Sequence, residues 1–316
     1  MVRRILDENA GILKTISDIL ALEALKDPIL FPIFPTNDEI VMFSDYSRGS
    51  GKHRSYSFLV TSSSEVTRFN QERVLLRSRL SLQKRRMSFK GLNDKVKLNS
   101  LPEFLQLAGT LSGLLLTFVV DSAPEVLFAD LFREVSPELQ EVKRATLEEL
   151  LRVAFLGGIS LMVSTQGHTL ASWFTDEDNI VATDKLKQQF GKIAQAGLNL
   201  MYSDGNAPLL SFGITSIDDG TLDLEDLVAI PDLMAGATCE LLDRLAINGM
   251  RVASHLALTP PKVTRKTDFI CSWAAQQQRL RKFAVSIQRS RSAGTWSPTF
   301  FSMQKHRSSL CLPSTE

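Results

Sequence analysis

The chain has 316 residues, 44% apolar and 22% charged, a globular composition that excludes a chain disordered throughout. Its 36 Lys and Arg nearly balance 35 Asp and Glu, so the net charge of +1 excludes nothing by itself. The basic residues are segregated, however: residues 68–97 carry ten against Glu72 and Asp94, and residues 262–316 carry ten against Asp268 and Glu316, an excess of eight in each zone, which points to a polyanionic partner.

Residues 1–26 read as a helix, with Ile5, Leu13, Ile16, Ile19 and Leu20 recurring at three- and four-residue spacing. Pro28, Pro32 and Pro35 break it. Residues 39–44 are apolar and β-branched, end at Asp45, and turn through two glycines into an alternating strand over 55–61. A helix over 66–82 carries Arg73 and Arg77, and Met87, Phe89 and Gly91 read as a short strand. Asn93 or Asp94 caps a helix running to Leu107, and residues 114–120 form an uninterrupted apolar strand that stops at Asp121.

Residues 122–142 are acidic and irregular, followed by a helix over 145–163 that Gly157 and Gly158 weaken or bend. A strand over 169–174 runs into Asp176, Glu177 and Asp178, Thr183 caps a helix to about Met201, and residues 209–217 give another strand. Pro231 fits the first turn of a helix over 231–247, with Asp232 at its positive end. The tail holds one basic amphipathic helix over 268–290. The order is α/β with an opening antiparallel meander, divided into an N-terminal helical segment (1–37), a central domain (38–250) and a basic C-terminal helix and tail (251–316).

Three scattered cysteines, Cys239, Cys271 and Cys311, give neither a disulfide framework nor a zinc site, and the expectation is a reducing, cytoplasmic setting. The N-terminal residues lack the pattern of a secretory signal, and no apolar run reaches the ~20 residues of a membrane span. A P-loop is excluded, because SRGSGKH at 47–53 has the wrong glycine spacing.

Acids that end neighbouring buried strands are forced together. A divalent cation relieves their repulsion, Mg²⁺ or Mn²⁺ being the oxygen-preferring choices, and a pair of such ions serves phosphodiester cleavage. Asp45, Asp121 and Asp176 (or Glu177 or Asp178) are the strand-end candidates, and Asp232 is the helical one. Taken singly, each is equally an ordinary turn acid or cap. Arg73, Arg77, Arg85, Arg86 and Lys90 form a basic group suited to a nucleic-acid backbone, or else a solvated basic face. Trp273 with Arg279, Arg281 and Lys282 reads either as a stacking site or as a core stripe of its helix. His53 reads as an exposed turn residue.

Three stretches carry a family resemblance: SDYS at 44–47, RRMSFKGLNDK at 85–95 and LEDLVAIPDLMAGA at 224–237. They resemble the acid-first strand, the basic-aromatic-Lys strand and the terminal helix of the domain-of-unknown-function family 3800, over roughly residues 38–245. The resemblance implies an RNase H-like fold: a mixed five-stranded sheet flanked by helices, to which this chain adds an N-terminal helix and a C-terminal helical extension. It implies a metal-dependent nuclease acting on DNA or RNA in a mobile-element or defence context. Asp45, Asp232 and Asp176 or its neighbours would be ligands of Mg²⁺ or Mn²⁺, Asp121 a competing ligand, and Lys90 would sit near the scissile phosphate. Tyr46 stands where that family often has a second acid. The alternative is a catalytically silent module that binds nucleic acid or a protein partner.

Overall fold

The computed structural model describes residues 3–7, 10–48, 51, 53–121, 127–128, 144–165, 167–176, 181, 183–202, 204–247, 262–289 and 296–303. Its elements are α1 (Ile12–Lys26), β1 (Ile40–Arg48), β2 (His53–Ser62), α2 (Ser63–Arg79), a 3₁₀ turn (Lys90–Asn93), α3 (Lys95–Gly109) and β3 (Gly113–Asp121). They continue with α4 (Arg144–Ser164), β4 (Leu170–Thr175), α5 (Asp184–Met201), β5 (Leu209–Ile214), α6 (Asp223–Ile247), α7 (Arg265–Ala274), β6 (Leu280–Arg289) and β7 (Trp296–Phe301). Among the described residues no helix is long and apolar enough to cross a membrane.

One seven-stranded sheet runs in the order β5-β4-β1-β2-β3-β6-β7. β1, β2 and β3 form the antiparallel meander, β4 pairs parallel with β1, and β5 pairs parallel with β4. Those five strands, with helices on both faces, are the RNase H-like arrangement, here extended by two strands on the β3 edge. Alternation along β1 separates the faces. Ile40 and Met42 pack with α1, α4 and α5, whereas Val41 and Phe43 pack with α2, α3, α6 and α7.

Local chemistry explains several boundaries. Asp94 caps α3 by accepting the Val96 amide at 2.8 Å, and Thr183 caps α5 by accepting the Leu186 amide at 3.2 Å. α4 runs unbroken through both glycines. A Cβ on Gly157 would lie 2.3 Å from the ring of buried Trp173, so this glycine serves close approach rather than a bend.

Four expectations are corrected. Residues 87–89 are irregular rather than a strand and lead into the 3₁₀ turn. The helix foreseen over 268–290 divides into α7 and β6, because FAVSI (283–287) is buried on both faces as the parallel partner of β3. The helix read over 1–26 begins only at Ile12, residues 3–7 being irregular, while of the two readings of Trp273 the core one holds, with Lys282 Nζ 4.8 Å from its ring centroid. α6 starts at Asp223, so Pro231 lies inside it and Asp232 is about two and a half turns from its N-terminus. Asp218 secures that start instead, accepting the Leu222 and Leu224 amides at 3.0 Å each.

Candidate functional site

Asp45 sits on the α6 face of β1, opposite Ser57 on β2, and its Oδ1 accepts the Tyr46 amide at 2.5 Å. Tyr46 points to the other face, where its hydroxyl meets Ser44 Oγ at 2.9 Å and Thr175 Oγ1 at 3.0 Å. Its identity therefore does not decide what the Asp45 side of the sheet can do. Asp176 follows β4 directly on the Asp45 face, and its Oδ1 accepts the Thr215 hydroxyl at 3.0 Å. Asp232 comes down from α6, and its Oδ2 accepts the Phe89 amide at 2.6 Å.

A fourth acid and a cation complete the group, and the sequence reading assigned neither to it. Glu225 lies on α6 seven residues before Asp232, a spacing that puts both on one helical face. Arg86 extends between these acids. It pairs with Asp176, and its Nε lies 2.5 Å from Glu225 Oε2, a charge contact without hydrogen-bond alignment. The charge of Asp45 also acts on it.

Burial pushes the Asp232 carboxyl up to about 6, the charge of Asp176 acts in the same direction, and the Phe89 amide, Arg86 and Lys90 oppose the rise. Burial raises Glu225 as well, against the pull of Arg86.

Phe89 acts as a strap. Its amide binds Asp232, its carbonyl accepts Lys266 Nζ at 2.9 Å, and the same ammonium stands 4.0 Å from its ring centroid. Its ring packs where α6 has no side chain: a Cβ on Gly236 would lie 2.2 Å from Phe89 Cγ. Beside the strap, Lys90 is exposed, and Lys97 Nζ lies over Gly91, 3.0 Å from where a Cβ would stand. Lysines from the two basic zones of the sequence thus meet around Phe89–Gly91, at the edge of the acid cluster.

The other foreseen residues lie elsewhere. Arg73 and Arg77 are buried and pair with buried Asp226, so they do not face a nucleic acid. Arg85 pairs with Asp94 at the surface, and Arg86 faces the acid cluster rather than outward. Asp121 is four residues beyond Thr117, the β3 residue level with Asp45 across Ser57. Strand spacing puts it roughly 16 Å from Asp45, outside the cluster. His53 is buried rather than exposed, its Nδ1 2.8 Å from Asp243 Oδ1. Glu177 and Asp178 lie outside the described residues.

The group does not fit a divalent-metal centre as arranged. The positive charge between Asp176 and Glu225 is the Arg86 guanidinium, and Asp45 and Asp232 each turn one oxygen to a backbone amide. Among the described residues no three acid, His or Cys side chains are grouped to hold a metal ion.

The raised Asp232 carboxyl has a pH consequence. It ionises more readily in the unfolded chain, so raising the pH from about 4 to about 6 favours unfolding. The loss amounts to about 2–3 kcal/mol. Asp232→Asn cannot ionise, and its stability relative to wild type is expected to rise by that amount between pH 4 and pH 7. Urea titrations at the two pH values check this. Parallel profiles would mean that the carboxyl is not held up.

No protein-family model and no curated protein matches the sequence. Among solved structures, the crystal structure of the ribonuclease H2 from Pyrococcus horikoshii OT3 is similar over 77% of this chain and 92% of that one, at 12% identity and a TM-score of 0.32. A likeness that distant adds nothing to the argument, and the RNase H-like arrangement rests on strand order and direction.

Proposed function

We propose that this chain is a nucleic-acid-binding protein of RNase H-like fold, which grips a phosphodiester backbone with Lys90, Lys97 and Lys266 beside an acid cluster held by Arg86. The meeting of those lysines around Phe89–Gly91 carries the reading. They come from both basic zones, and Lys266 is fixed by its bond to the Phe89 carbonyl. Ammonium groups placed this way bind a polyanion by releasing its counterions, without requiring a particular base sequence. The acid cluster next to the lysines would repel a misplaced backbone and so set its path.

Fluorescence anisotropy with labelled single- and double-stranded DNA and RNA, in EDTA and at several salt concentrations, tests this. Wild type is expected to bind with a steep salt dependence. Changing Lys90, Lys97 and Lys266 together to Ala is expected to weaken binding at least about tenfold and to reduce the log–log salt slope by about 2–3. Unchanged affinity and slope would place the binding face elsewhere, and no binding by wild type would end the proposal.

A second reading, a metal-dependent nuclease using Asp45, Asp176 and Asp232 with Mg²⁺ or Mn²⁺, draws on one observation. Carboxylates from β1, the end of β4 and α6 all act on the single Arg86 guanidinium, so one positive charge serves all three, as a divalent cation in the same place would.

A further inference from the structure

We infer that the Arg86 guanidinium is the resident cation of the acid cluster, standing where a divalent ion would otherwise neutralise Asp45, Asp176, Glu225 and Asp232, and that a divalent-cation site opens there only when this guanidinium is removed. The inference deepens the metal-free form of the proposed function and rests on it.

The position of Arg86 is built rather than incidental. The segment that carries it is fastened on both sides. The Leu82 amide donates to the Arg77 carbonyl at 3.1 Å, and the Arg85 amide donates to the Leu82 carbonyl at 2.8 Å. Arg77 Nη2 donates to the carbonyls of Gln83 at 2.6 Å and Arg85 at 3.0 Å. Leu82 and Met87 are buried, and the Phe89 amide is tied to Asp232. These contacts fix the backbone at Arg86 beside the acids, so the fold brings the guanidinium within reach of them.

Its chemistry suits the task. Guanidinium is planar, permanently charged and weakly hydrated, with several N–H donors to share between two carboxylates. Here it engages Asp176 from β4 and Glu225 from α6 together, joining a strand end to the helix above it. A divalent ion would draw on the same carboxylates, so the two cations compete for one place.

Metal-stripped wild type and Arg86→Gln are compared by thermal melting, in EDTA and across a Mn²⁺ titration. Wild type is expected to melt at the same temperature with and without Mn²⁺. Arg86→Gln is expected to melt about 5 °C lower in EDTA and to recover saturably with Mn²⁺, a recovery absent from the Arg86→Gln/Asp45→Asn double variant. If Arg86→Gln does not fold, Arg86→Gln/Asp176→Asn removes the surplus acid together with the cation and is expected to restore folding. Failure of that variant too, or a Mn²⁺-dependent rise in wild type that Asp45→Asn abolishes, would overturn the inference. Equal melting of wild type and Arg86→Gln under both conditions would overturn it as well. Nucleic-acid binding by wild type in EDTA reports separately on the lysine reading and is unaffected by any of these results.

Discussion

Asp226→Ala is expected to destabilise the protein by about 3–5 kcal/mol, the cost of removing one member of a buried ionic group and leaving its partners unpaired. Asp226 is 0% exposed and Arg73 is 1% exposed. Arg77 Nη1 reaches both Asp226 oxygens, at 2.8 and 2.7 Å, and Arg73 Nη1 reaches Oδ2 at 3.2 Å. Arg73 keeps the Thr221 carbonyl and Asp223 as partners, but Arg77 would retain only carbonyls. The effect extends to the site, because the same Arg77 fastens the segment that delivers Arg86. Denaturant unfolding monitored by circular dichroism measures the loss. A midpoint equal to that of wild type would show that the two arginines are satisfied without Asp226.

Gly236→Ala is expected to cost about 2–3 kcal/mol, at the upper end of what overpacking imposes, and to weaken nucleic-acid binding. The new Cβ would stand 2.2 Å from Phe89 Cγ and 2.8 Å from its Cβ. Contact that close to the root of the side chain cannot be relieved by a rotamer change, so the Phe89 backbone must retreat. Retreat breaks the hydrogen bond that the Phe89 amide donates to Asp232 and moves the carbonyl that holds Lys266. Thermal melting and anisotropy measured on the same preparation read both effects. Lost stability with unchanged affinity would separate the strap from the binding face.

Much of the fold could be read locally. Asp94 and Thr183 act as caps because a side-chain oxygen needs only the amides two or three residues on. The faces of β1 follow from alternation alone, and the same rule puts Asp45 under α6. Asp45 and Asp176 were marked as candidates by their strand-end positions, and Asp232 by the resemblance of the last helix.

What could not be read depended on distant partners. Arg73 and Arg77, four residues apart on α2, look like a basic stripe until Asp226 arrives from α6. Arg86 looks like one more member of a basic run, and Glu225 falls ahead of the helix read over 231–247, until β4 and α6 bring Asp176 and Glu225 to either side of the guanidinium. Lys266 lies 177 residues from the Phe89 carbonyl that it binds, and its place in a basic zone does not tell which segment it meets. β6 was hidden because the basic residues at 279, 281 and 282 masked the apolar run that follows them.

The most direct measurement incubates wild-type protein with labelled DNA and RNA in EDTA and in Mn²⁺, follows binding, and then sizes the recovered strands. Saturable, salt-sensitive binding under both conditions, with every strand recovered at full length, is the expected result. Strand cleavage that requires Mn²⁺ and disappears in Asp45→Asn would contradict it, because the acid cluster would then work with a metal ion that Arg86 does not exclude.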